Sequence, residues 1–124
     1  MQYLLLVYID PELLDQVPEE RFCKEMRDCL RHSDAMMQEG SMLAFQQLEP
    51  VDKAKSVRQR GGRMSVLDGP FAETKEVLAG YNLIEADSYD EALRVARELP
   101  WSQYGSIEVR PVADIAAMRR RVGA

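Results

Sequence analysis

One order of segments constrains this chain more than any other feature. Strand, helix, strand, glycine-centred hairpin, strand, helix and strand follow one another within 124 residues. Tyr3 to Ile9 is an almost wholly apolar, β-prone run closed by Asp10-Pro11, as expected of a central strand covered on both faces. From Pro18 to Glu39, Phe22, Met26, Cys29, Leu30, Ser33, Met36 and Met37 recur at intervals of three and four. That spacing predicts an amphipathic helix of about six turns. Pro18, Glu19 and Glu20 suit its first turn, and Gly40 suits a left-handed stop. Met42 to Leu48 reads as a second strand. Lys55 to Arg60 and Arg63 to Leu67 flank Gly61-Gly62, a pair that accepts the positive φ angles of a two-residue hairpin turn. Tyr81 to Ala86 alternates, with Tyr81, Leu83 and Glu85 on one face and Asn82, Ile84 and Ala86 on the other. Ser88 to Glu91 forms a capping box for a second helix that stops at Pro100. Gly105 to Pro111 is the last strand, and Val112 to Ala124 reads as a short helix or a loose arm.

With the hairpin set aside as an insertion, the order is βαββαβ. The expected architecture is therefore α+β and ferredoxin-like: an antiparallel sheet with two helices on one face. The other face of such a sheet exposes too much apolar area for a monomer, so a homodimer paired through sheet faces or edges is expected.

Composition narrows the function. The length supports one core, and 21 acidic against 16 basic residues leave a net charge of −5, which disfavours nucleic acid as a partner. Arg119-Arg120-Arg121 reads as a solvated tail. Cys23 and Cys29 diverge by roughly 120° around one helix, so no disulfide is expected. His32 is the single histidine and no Cys-x-x-Cys pair is present, so no metal site is expected. Dinucleotide, phosphate-loop and nucleophile-elbow patterns are missing, and no tightly bound cofactor is expected. The N-terminal apolar run lacks a basic leader region and is too short to span a bilayer, which reads as a cytoplasmic protein with no membrane partner.

The densest cluster of chemistry-bearing residues is Asp68-Gly69-Pro70-Phe71-Ala72-Glu73-Thr74-Lys75-Glu76. Asp68 either binds the N–H groups of its own turn or transfers a proton. Glu73 and Lys75 either orient a substrate or form a solvated charge cluster with Glu76. Phe71 is either a plug for the core or a ring that stacks on a ligand. His32, titrating near neutrality, is the second candidate acid–base group. Tyr8 and Arg63 are candidates to line a cleft from strand positions, with Tyr81 and Arg110 beside them. Cys29 faces the core and reads as an inert thiol.

The segment DGPFAETKE resembles the signature of the DGPF-domain proteins, relatives of the YCII family. Flanking pieces are similar to that family too: YLLLVY near the start, AGYNLIEADSYDEAL from Ala79 to Leu93, and YGSIEVRP from Tyr104 to Pro111. The resemblance covers residues 1–112 and leaves 113–124 as a C-terminal arm. It implies a dimeric α+β barrel of ferredoxin-like subunits, encoded beside extracytoplasmic-function sigma factors. It also implies a histidine–aspartate pair in a cleft between the sheet and the first helix. At the place of that histidine, counted back from Gly40, this chain has Cys29, with His32 three residues further on. Two expectations follow. One is a cleft that binds or converts a small molecule without a bound cofactor, as a lyase or hydrolase if it is an enzyme, with Asp68 or His32 moving a proton. The other is a non-catalytic, stress-linked regulatory module that senses a metabolite or contacts a sigma factor through its acidic surface.

Overall fold

Alternation along the first strand decides where everything else packs. In the computed structural model, which describes residues 1–124, β1 (Gln2–Ile9) turns Tyr3, Leu5, Val7 and Ile9 to one face, where all four are buried. Leu4, Leu6 and Tyr8 lie half-buried on the other face. Strand β1 is flanked by β5 (Val77–Glu85) and β6 (Gly105–Pro111), and β2 (Met42–Gln47) forms the edge beside β5. Every pairing is antiparallel. Helices α2 (Glu19–Glu39) and α3 (Tyr89–Glu98) contribute Met36, Ala92, Val95 and Ala96 to the core that the buried sheet face supplies. Between β2 and β5 the chain makes β3 (Lys55–Arg60) and β4 (Arg63–Asp68), a separate two-stranded ribbon. This is the ferredoxin-like α+β fold with an inserted hairpin. The ribbon turns at Gly61 and Gly62, whose φ angles are +56° and +77°, as a type I′ hairpin requires. The C-terminal segment forms α4 (Ile115–Val122), with no residue buried.

Three local expectations change. Asp10-Pro11 starts a short helix, α1 (Pro11–Asp15), because the Asp10 carboxylate accepts the Glu12 N–H at 3.0 Å and proline sits in the first turn. Strand β5 begins at Val77 rather than Tyr81, and a register slip between Val7 and Tyr8 breaks its alternation there. At α3, Ser88 Oγ accepts the Glu91 N–H at 3.1 Å, while the Glu91 carboxylate reaches the N–H of Asp87 at 2.7 Å instead of that of Ser88.

The two long helices meet the sheet differently. Helix α3 presents two small residues, Ala92 and Ala96, with Val95, and all three are buried. Alanines allow close approach, so this side is solid. Helix α2 runs for 21 residues but buries just Ser33 and Met36. Its Phe22, Met26 and Cys29 are half-buried and Leu30 and Met37 are exposed, because α2 spans a hollow above the sheet.

Candidate functional site

That hollow is a cavity of about 650 Å³ between α2 and the sheet, within the range usual for small-molecule sites. Val7 and Ile9 of β1, Phe45 of β2 and Asn82 of β5 form its floor, and Phe22, Met26, Cys29 and Ser33 of α2 cover it. Trp101, in the turn after α3, closes one end, with its ring centroid 6.2 Å from that of Phe22 and 6.4 Å from that of Tyr104. Leu48 to Val51 and Val77 to Leu78 also line it. These are the two stretches through which the chain leaves for the β3–β4 ribbon and returns, so the ribbon is rooted beside the cavity.

The lining is mostly apolar, with a few polar groups. Asn82 is 8% exposed and Ser33 is 2% exposed. Burial pushes the Cys29 thiol above its ordinary value, against an opposing effect of the Trp101 indole and Ser33 hydroxyl as hydrogen-bond donors to the sulfur. The thiol therefore stays protonated near neutral pH and is a poor nucleophile. No group of three or more His, Cys, Asp or Glu side chains is placed to hold a metal ion.

Of the residues singled out in the sequence as acid–base or binding candidates, Tyr81 alone lines this cavity. Asp68 does not serve its own turn; its carboxylate accepts from Lys55 Nζ at 2.9 Å across the ribbon, in an exposed pair. Phe71 is neither plug nor cleft residue. It is 77% exposed, because the segment that carries it is held by its backbone: Arg58 donates to the Phe71 carbonyl at 2.6 Å and Ser56 to the Gly69 carbonyl at 2.9 Å. Glu73 is exposed, and Lys75 has its Nζ 3.8 Å from Oδ2 of the buried Asp10. The segment thus acts as a strap from the ribbon to the β1–α1 junction. Tyr8 lies on the open sheet face and Arg63 at the ribbon's tip beside Gly62. His32 lies outside the cavity, with Nε2 3.1 Å from Glu98 Oε2, in a surface hollow of about 270 Å³ shared with Glu25 and Asp28. Cys29 lines both spaces and forms part of the wall between them. Of the two helix positions compared in the sequence, the cysteine reaches the cavity and the histidine does not.

The residues that do furnish the site's polarity, Asn82 and Ser33, were visible in the sequence as irregularities. Each is a polar residue at an inward position of an otherwise apolar face. Asp10, the buried partner of Lys75, carried no such signal beyond its place at the end of a strand.

The YCII-related domain model matches residues 1–116. An uncharacterised protein of Rhizobium meliloti (strain 1021) is 38% identical over 115 residues, covering 91% of this chain and 93% of the relative. Among solved structures, the 5-chloro-2-hydroxyhydroquinone dehydrochlorinase TftG from Burkholderia phenoliruptrix AC1100, in complex with 2,5-dihydroxybenzoquinone, is similar at 12% identity with a TM-score of 0.49. That match covers 91% of this chain and 94% of that one.

Proposed function

The chain belongs to the YCII-related domain family, and from that premise we propose that it binds or converts a small molecule in the cavity between α2 and the sheet. It does so without a tightly bound cofactor and as a homodimer. The cavity itself carries the reading: a six-turn helix held off its sheet leaves apolar surface unfilled that a close-packed core would cover. Support for the dimer comes from the open sheet face, where Leu4, Leu6, Tyr8, Tyr81 and Leu83 are half-buried with no layer above them.

Trp101 is the single tryptophan and lines the cavity, so its fluorescence reports occupancy. Titration with the neutral apolar dye Nile red is expected to change Trp101 emission saturably. Ala79→Phe, which places a ring in the cavity wall, should weaken that binding at least tenfold while leaving the fold intact. Binding that is unsaturable, or equal in the variant, refers the dye to the surface and removes the reading.

A specific observation favours binding over conversion. Neither Asp68 nor His32 lines the cavity, the carboxylates that do, Asp15 and Glu49, are exposed, and the one thiol in the lining stays protonated. A ligand-responsive module with no catalytic step is therefore the second reading. It is distinguished by a bound molecule recovered chemically unchanged after prolonged incubation.

A further inference from the structure

The polarity of the cavity narrows the class of molecule it takes. Asn82 lies near the middle of the sheet, paired with Leu5 on one side and Phe45 on the other, and is more than nine-tenths buried. None of the protein's side-chain hydrogen bonds engages its carboxamide, yet no sealed polar side-chain atom lacks a partner. The carboxamide therefore opens on free space, and the space it lines is the cavity. An amide left without a partner in an apolar setting is costly, and an apolar residue of the same size fits that strand position better for stability alone. Ser33 brings a second, still more deeply buried polar group to the same cavity.

Charge supplies the other half of the argument. No lysine, arginine or histidine lines the cavity, and its charged lining residues are Asp15 and Glu49, both acidic and exposed. A carboxylate or phosphate entering there loses its water, meets no counter-charge inside and passes like charges on the way. A neutral carbonyl or hydroxyl is matched by the carboxamide of Asn82, which both donates and accepts.

We propose that the cavity selects an uncharged, largely apolar molecule bearing a carbonyl or hydroxyl group that Asn82 holds, and that it excludes anions of the same shape. The proposal rests on the reading of the cavity as a binding site. Octan-2-one and octanoate, a neutral ketone and an anion of equal chain length, test it through Trp101 fluorescence and titration calorimetry. Octan-2-one is expected to bind, and octanoate to bind at least tenfold more weakly. Asn82→Leu should weaken octan-2-one about fivefold to tenfold, the loss expected of one hydrogen bond, while raising the melting temperature. Asn82→Ala carries the same binding test if the leucine variant does not fold. Equal binding of octanoate overturns the proposal and leaves the small-molecule site standing, as does Nile red binding with neither octyl probe bound. Unchanged octan-2-one binding, or lowered stability, in both variants overturns the role of Asn82. Failure of Nile red as well removes the site itself.

Discussion

Asn82 and Cys29 show how little a residue's type says before its surroundings are known. Both sit on faces that read as core, yet one opens an amide into a cavity and the other buries a thiol in its wall. The thiol has a consequence for pH dependence. Burial raises its pKa in the fold above the ordinary 9.0, so the folded chain holds this proton more tightly than the unfolded one. The contribution to stability is complete below that ordinary value and is lost as pH climbs through the raised one. Urea unfolding between about pH 8 and 10.5 should therefore show stability falling, with a shallower fall in Cys29→Ala. The slope left in the variant is assigned to Cys23, whose thiol is raised chiefly by its hydrogen bond to Glu19, and to Tyr104, whose phenol is raised chiefly by burial and then by its hydrogen bond to Glu25. An identical slope in both proteins places Cys29 in contact with water. A second residue acts by having no side chain. A Cβ on Gly105 would lie 1.9 Å from the Tyr8 carbonyl oxygen, so Gly105→Ala should destabilise by about 3 kcal/mol or more in the same assay. The candidate acid–base residues were legible as chemistry but not as a site. Asp68, Glu73, Lys75 and His32 have suitable side chains, and nothing local states that Lys75 reaches Asp10 or that His32 reaches Glu98.

Elements were more legible than sites because their signals are local. Period, cap and turn gave α2, α3 and the ribbon nearly to their ends. Where they misled, the causes differed: a slip in the pairing with β1 beside Tyr8 hid the start of β5, and a local capping bond from Asp10 made a helix where a break was expected. The cap on α3 predicts that Ser88→Ala lowers stability by about 1 kcal/mol by removing the acceptor of the Glu91 N–H. No loss on chemical denaturation would mean that the Glu91 carboxylate on Asp87 suffices. Helix α2 teaches the opposite lesson. Its apolar stripe was read correctly, but a stripe states which face turns inward and not how far the helix stands from its partner. The ribbon is similar. Its turn was evident, whereas the exposure of Val57, Met64, Val66 and Leu67 depends on its leaving the main sheet altogether.

On the scale of the whole molecule, the core is solid under α3 and hollow under α2, and the second face of the sheet is left with half-buried leucines and tyrosines. No helix is long and apolar enough to cross a membrane. Burial of the open face against a second copy predicts a dimeric mass by light scattering for the wild type. Leu6→Glu combined with Leu83→Glu, which places carboxylates on that face, should reduce the mass to that of one chain while the circular dichroism of the helices persists. A monomeric wild type at micromolar concentration ends the dimer proposal. By itself the sequence determined the order of elements, the two faces of the strand around Tyr81 to Ala86 and the family, because alternation, caps, turns and a nine-residue signature are carried by neighbours along the chain. Only the tertiary structure decided that α2 bridges a cavity, that Asn82 and Ser33 furnish it, and that the strap from Asp68 to Glu76 fastens the ribbon from outside. Those outcomes depend on distances between residues far apart in the chain, and no local pattern encodes such distances.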